Sequence, residues 1–429
     1  MKLYYTKTNT DRELYRLLKE RAGHTSADIQ EKVAAVLENV RTNGDKALFA
    51  YSETFDRVRL ERLELTKEDI EKQVGQVSPE LLGTLKAAAR NIRLYHEKQL
   101  SSGYEISENG KTLGRLVRPL ERVGVYVPGG TAAYPSTVLM NCIPASVAGV
   151  REIILVTPPK AEGISPAVVA AAQIAGVSRI FTIGGAQAIA ALAYGTESVP
   201  QVDKIVGPGN MFVAEAKRQV FGKVDIDMIA GPSEVCVVTD GSANPTYLAA
   251  DFLSQLEHDR AASATLICQD LSFAKKVEKE IERQLSLLPR REIAAESFAN
   301  YSAIVVTESL EESFRVANRI APEHLEIVTD NPYEHMKMVE NAGSIFLGEY
   351  TPEPMGDYFA GTNHVLPTSG TARFSSPLSV DDFIKKMSYL SYTRDAFLRE
   401  ADDVIRFAEC EGLDAHARSV SIRKETGKV

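Results

Sequence analysis

Apolar and polar positions give the chain three successive textures. Over the first 120 residues the apolar positions recur mainly at helical spacing. Ser26 reads as an N-cap ahead of IQEKVAAVLENV, with Gly44 as the stop. Thr66 and Asp69 form a capping-box pattern, and Ser78-Pro79 opens a third helix with proline at its first position. His96, near the end of that helix, reads as a surface or half-buried side chain. From Val123 the spacing changes. The β-branched runs VGVYV (123–127), EIILVT (152–157), RIFTI (179–183), DKIVG (203–207) and EVCVVTD (234–240) alternate with alanine-rich segments near 166–176, 186–194 and 211–221. A second series follows: helix 245–258, strand TLICQ, helix 272–287, strand AIVVT, helix 309–320, strand LEIVT, then SIFLG. Alternation of this kind predicts parallel sheets covered by helices, hence two α/β units of similar design. From Pro377 the pattern is helical and charged, with no further strand run.

Composition narrows the class. A chain of 429 residues carries a prior of two to three domains. Hydrophobic residues at 44% and charged residues at 25% are ordinary globular usage, which excludes disordered, collagen-like and coiled-coil readings. The net charge of −9 argues against nucleic-acid binding, which wants a basic footprint. Cys142, Cys236, Cys268 and Cys410 are scattered and form no C-x-x-C, so no zinc ribbon or thioredoxin-like motif is expected. So few cysteines suit a reducing compartment. The start, MKLYYTKTNTDREL, lacks an apolar stretch, and no apolar run reaches the roughly 18 residues of a membrane helix. The expectation is a soluble, cytoplasmic protein. Five of the seven histidines lie between 258 and 416, most inside dense polar motifs.

Standard phosphate motifs fail. Gly110-Lys111-Thr112 has a P-loop tail, but Glu105 stands where the first glycine belongs. Gly207-Pro208-Gly209-Asn210 lies between a strand and a helix, yet Phe212 occupies the third glycine position of the dinucleotide fingerprint. Gly184-Gly185-Ala186-Gln187 is a second strand-to-helix glycine turn. Each is either a phosphate-facing helix start or merely a tight turn. Tyr126, Gln187 and Asn210 stand at carboxyl ends of strands, where open α/β sheets bind ligands. A half-buried strand tyrosine is the plain alternative for Tyr126.

Four polar segments hold the candidate chemistry. In DFLSQLEHD (251–259), Gln255 and His258 lie about 60° apart on a helix, with Asp251 on the same face. They could grip a metal ion, or simply end a helix. In APEHLE (321–326), Pro322 sets a boundary that leaves Glu323 and His324 on a loop before a strand. A carboxylate beside an imidazole is suited to proton transfer, with burial raising the glutamate's pKa and lowering the histidine's. An ordinary surface pair is the alternative. The segment 355–368 reads as a long ordered loop, a functional signature, with Asp357 and His364 as possible ligands. In EGLDAH (411–416), Gly412 ends a helix, Glu411 and His416 flank it, and Cys410 reads as a buried apolar residue. These residues leave a zinc hydrolase, with Glu323 as base, and a two-domain binding protein both open.

Taken together, YVPGG (126–130), GGAQAIAALA (184–193), GPGN (207–210), IDMIAGPSE (226–234), DFLSQLEHD, APEHLE, GDYFAGTNHVLPT (356–368) and EGLDAH resemble the histidinol dehydrogenase family, over essentially the whole chain. The resemblance implies oxidation of L-histidinol through L-histidinaldehyde to L-histidine with two NAD, the last step of histidine biosynthesis. It implies one zinc per subunit on Gln255, His258, Asp357 and His416, with Glu323 and His324 as the catalytic pair. Substrate contacts would be Ser233, Gln255, His258, His324, Asp357, His364, Glu411 and His416. NAD contacts would be Tyr126, Gln187 and Asn210. The implied fold is α/β, two Rossmann-like parallel-sheet domains, one inserted in the other, with small helical terminal segments. The implied boundaries are an arm at 1–20, a larger domain of 21–125 and 233–378, an NAD-binding domain at 126–232 and a C-terminal segment at 379–429. That last segment would be exchanged in a homodimer, so that His416 and Glu411 complete the partner's site. No nucleic-acid or membrane partner is implied. Zinc, manganese and cobalt all suit such ligands. No motif supports a cysteine thioester route.

Overall fold

The computed structural model describes residues 1–21, 26–129 and 133–426; Gly130 of YVPGG falls outside them. The chain divides into two compact units, one of Met1–Gln99 and Leu120–Phe383, the other of Leu100–Pro119 and Ile384–Val429. In chain order the strands are β1 (Lys2–Tyr5), β2 (Tyr104–Glu108), β3 (Lys111–Pro119), β4 (Arg122–Tyr126), β5 (Glu152–Val156), β6 (Arg179–Phe181) and β7 (Lys204–Val206). They continue with β8 (Asp225–Ile226), β9 (Glu234–Thr239), β10 (Ser263–Cys268), β11 (Ala303–Val306), β12 (His324–Val328), β13 (Ser344–Leu347) and β14 (Ile384–Tyr392).

The first unit holds two parallel sheets, ordered β6-β5-β4-β7-β8 and β1-β11-β10-β9-β12-β13. Leaving β1 aside, each runs 3-2-1-4-5 in the order of its own strands. The pattern follows from strands buried on both faces, which read as continuous apolar runs. Successive residues point to opposite faces. Val123, Val125, Ile153 and Leu155 join one core of the first sheet, and Tyr126, Ile154 and Val156 join the other. In the second sheet Val235, Val237 and Leu266 pack on one side, and Cys236, Val238 and Ile267 on the other. Each fully buried Val, Leu or Ile contributes about 1.5–3 kcal/mol, so these alternating layers dominate the unit's stability. The two expected α/β series are therefore present as two Rossmann-like sheets.

Local expectations needed correction. Lys2–Tyr5 is a strand, paired in parallel with β11 at the sheet edge, although four residues are too few to show a period. Gly44 breaks the run Ala27–Phe55 into two helices, as its reading as a stop expected; its φ of 52° and ψ of −135° are non-helical, and a second helix resumes directly after it. His96 is fully buried, its Nδ1 2.7 Å from the Ile92 carbonyl oxygen.

The second unit is an antiparallel sheet, β14-β3-β2, with the helices Arg394–Cys410 and Asp414–Thr426. The expectation of no strand after Pro377 was wrong. β14, IKKMSYLSY, pairs with β3 from Ile384↔Pro119 to Tyr392↔Lys111. Most of its side chains are exposed, so main-chain pairing holds it without the apolar run that marks a buried strand. Cys410 is exposed rather than buried. Among the described residues, no helix is long and apolar enough to cross a membrane.

Candidate active site

In the first unit a cavity of about 270 Å³ gathers Ser233, Gln255, His258, Glu323, His324, Asp357 and His364. The topology explains the gathering. Ser233 immediately precedes β9, and His324 is the first residue of β12, so both stand at amino ends of neighbouring strands. The helix Pro245–Leu256 follows β9 and runs back toward the amino ends, delivering Gln255 and then His258. Gly207, Pro208 and Gly209, just past the carboxyl end of β7, line the same cavity. The site thus joins the carboxyl rim of one sheet to the amino rim of the other. The carboxyl-end rule located only the first half.

His324 begins a strand rather than sitting on a loop. Its Nδ1 lies 2.9 Å from the Glu234 carbonyl oxygen, which fixes the ring; its buried Nε2 has no hydrogen-bond partner among the described residues. Glu323 accepts from the Glu234 N–H at 2.9 Å. Asp357 lies on a turn of π-helix, Gly356–Ala360, rather than on irregular loop. His364 faces it, Nδ1 3.0 Å from the Asp357 carbonyl oxygen.

The electrostatics are those of a crowded carboxylate wall. Burial pushes the Glu323 carboxyl up to about 7. Burial pulls the His324 imidazole down, but Glu323, Asp357 and Glu353 outweigh it and hold the ring near 10. Burial thus acts on this histidine in the expected direction, but the three carboxylates around it reverse the net shift. Burial lowers His258 and His364, and burial raises Glu353 to about 8 and Asp251 to about 7. Burial also raises Glu326 well above the carboxylate range.

Sequence reasoning missed Glu353. It is buried, lines the cavity, accepts from the Ser254 hydroxyl at 3.1 Å, and offers an oxygen 4.0 Å from His324 Nε2. The signal was its spacing, four residues before Asp357 across one helical turn. Ligand atoms of His324, Glu353 and Asp357 lie within 4.8 Å of one another. Beside them the buried Gln255 amide oxygen Oε1 has no hydrogen-bond partner among the described residues. An orphaned acceptor next to paired carboxylates is the environment a divalent cation satisfies, so Gln255 and Asp357 fit a metal; His258 lines the same cavity but lies outside the close group of His324, Glu353 and Asp357.

Tyr126, Gln187 and Asn210 are not among the lining residues. Tyr126 is buried, and its hydroxyl accepts from the Gly185 N–H at 3.2 Å. Gln187 is buried in the helix Gly185–Tyr194. Asn210 caps the helix Met211–Val220, accepting from the N–H groups of Phe212 and Val213 at 3.0 and 3.2 Å. Glu411 and His416 belong to the second unit, where both are exposed; Glu411 is the C-cap of Arg394–Cys410 and His416 lies in Asp414–Thr426.

The family model described as histidinol dehydrogenase matches residues 19–424. A histidinol dehydrogenase of Clostridium acetobutylicum is 53% identical over 411 residues, 95% of either chain. One from Bacillus cereus strain ATCC 14579 is 52% identical over 429 residues, the whole of both. The crystal structure of histidinol dehydrogenase from Elizabethkingia anophelis superposes with a TM-score of 0.94 at 38% identity, covering 100% of this chain and 99% of its own. An acetylating aldehyde dehydrogenase from Geobacillus thermoglucosidasius superposes with a TM-score of 0.50 at 14% identity, covering 91% of this chain and 98% of its own; that is a likeness of fold alone.

Proposed function

The chain belongs to the histidinol dehydrogenase family, and we propose from that premise how its cavity divides the family's chemistry. The enzyme is an NAD-dependent oxidoreductase that converts L-histidinol through L-histidinaldehyde to L-histidine, reducing two NAD. The hydrolase and binding-protein readings give way to this membership. The observation that carries the proposal is the seating of Glu323 and His324 in one cavity with Ser233, Gln255, His258, Asp357 and His364.

His324 Nε2 takes the hydroxyl proton as hydride passes from the alcohol carbon to the first NAD. Glu323 takes a proton from water, which adds to the aldehyde carbon. The hydrate anion then loses hydride to the second NAD, and the carboxylic acid so formed releases its proton to solvent to give the carboxylate. Ser233 and His364 hold the substrate's polar groups so that the aldehyde stays in place between the two transfers. Gln255, His258 and Asp357 would hold zinc. A cation held there would supply positive charge to the carboxylate wall and a Lewis acid for the substrate's nitrogen donors, and with it in place His324 would serve as the neutral base.

The glycine turns at Gly184-Gly185 and Gly207–Asn210, with Tyr126, Gln187 and Asn210 shaping them, form the NAD rim. The exposed His416 and Glu411 fit a role in a homodimer, each completing the site of the partner copy as the fourth zinc ligand and a substrate contact. A cytoplasmic location suits a biosynthetic enzyme that draws on NAD. The test is NADH formation from L-histidinol before and after removal of metal. Turnover that stops on removal and returns with zinc supports the reading; unchanged turnover overturns the metal assignment.

A further inference from the structure

Both members of the catalytic pair are attached to the main chain of one residue, Glu234. The Glu234 N–H donates to Glu323 Oε2 at 2.9 Å, and the Glu234 carbonyl oxygen lies 2.9 Å from His324 Nδ1. Whatever fixes residue 234 therefore fixes the base and its neighbour together.

That task falls to Arg21, at the end of the helix Asp11–Arg21. Its Nη2 is bonded to the Glu234 carboxylate. Its Nη1 reaches the carbonyl oxygens of Pro232, Ser233 and Ala261 at 3.2, 3.3 and 2.7 Å. The two side chains are 0% and 6% exposed, so the pair is removed from water and its geometry is stiff. Glu234 Oε1 also accepts from the Ser369 N–H at 3.1 Å, and Thr368 beside it accepts from Gly231 at 2.6 Å. One guanidinium thus ties the 232–234 segment, the 261 turn and, through Glu234, the end of the His364 segment.

We infer that Arg21 and Glu234 are positioning residues for the reaction: their ion pair sets the strand start from which Glu323 and His324 are aimed into the cavity. The inference rests on the assignment of Glu323 and His324 as the catalytic pair. Neither Arg21 nor Glu234 lines the cavity that holds Glu323 and His324. A cavity of about 330 Å³ lined by Tyr15, Glu234, Arg319 and Ser369 borders the Glu234 side of the pair.

The test compares Arg21→Met with the wild-type enzyme, alone and in a background carrying Glu323→Gln and His324→Asn. Misplacing catalytic groups by a fraction of an ångström to an ångström costs up to about 100-fold in rate. The expected result is a kcat about 10- to 100-fold lower, with KM values for histidinol and NAD within about 3-fold. In the doubly substituted background the same change should alter residual turnover less than about 2-fold, since nothing remains to be aimed. An unaltered kcat, or an equal loss in both backgrounds, would overturn the inference. Full activity in the Glu323→Gln, His324→Asn background would instead overturn the catalytic assignment. Breaking a buried pair on one side strands a charge, so Arg21→Met with Glu234→Gln, which removes both charges, is the second variant. If both variants are unfolded, the pair serves folding and the inference falls.

Discussion

His324 Nε2 and the nearer carboxylate oxygen of Asp357 stand 3.7 Å apart, too far for a hydrogen bond and close enough for strong attraction. Glu353 adds a second carboxylate at 4.0 Å. Such a grouping demands positive charge, either a proton on the imidazole or a cation among its neighbours.

The cation case makes a stability prediction. Zinc added to metal-free enzyme is expected to raise the thermal midpoint, since a ligand of the folded state alone stabilises by about 2.7 kcal/mol at 100 times its Kd. Gln255→Ala and Asp357→Asn should each remove most of that rise. Calorimetry with and without zinc checks it, and a midpoint indifferent to zinc would contradict the ligand assignment.

Glu323 sets a pH dependence. Its carboxyl, raised to about 7 by burial, is protonated below that pH and cannot take a proton from water. Oxidation of histidinaldehyde should therefore rise about tenfold per unit up to pH 7 and level off above it. Stability moves the other way: the folded state keeps a proton that the unfolded chain has lost, so this group's contribution falls as pH rises through 7. Glu323→Gln should flatten both trends. A limb that survives the substitution belongs to another group.

Gly207 offers a test of the proposed NAD rim. Its φ is 110°, and a Cβ there would run into the Tyr126 carbonyl oxygen. Its N–H donates to Asp227 at 2.7 Å and its carbonyl accepts from Lys217 Nζ at 3.0 Å, so the peptide has little freedom to shift. Gly207→Ala is expected to cost about 1–3 kcal/mol of stability and to raise the KM for NAD more than that for histidinol. Denaturant titration and steady-state kinetics measure the two, and wild-type values in both would show the turn to be adaptable.

The cysteines make a negative prediction. Cys142, Cys236 and Cys268 are buried, and burial raises each thiol's pKa, Cys268 to about 11, so none is poised as a thiolate. Replacing each in turn by alanine should leave two NADH per histidinol. A folded variant that stops at the aldehyde would restore the thioester route.

How much was legible from sequence depended on the kind of signal. The two α/β series could be read because strands buried on both faces need unbroken apolar runs such as EIILV, and alanine-rich helices must pack between them. β14 could not, because IKKMSYLSY is held by main-chain pairing and few of its side chains are buried. Gln255, His258, Glu323, His324, Asp357 and His364 stood out as dense polar segments and share one cavity. Glu353 and Arg21 did not stand out. One lies between two prolines and the other is a single arginine at a helix end, and each acquires its meaning from partners remote in the chain: Glu353 from His324, Arg21 from Glu234.

The most direct test of the central claim, that Glu323 serves the second oxidation and His324 the first, is a count of NADH formed per histidinol in a single turnover with excess NAD. Two are expected from the wild-type enzyme, and one, with aldehyde trapped, from Glu323→Gln. Equal slowing of both transfers in that variant would contradict the division of labour.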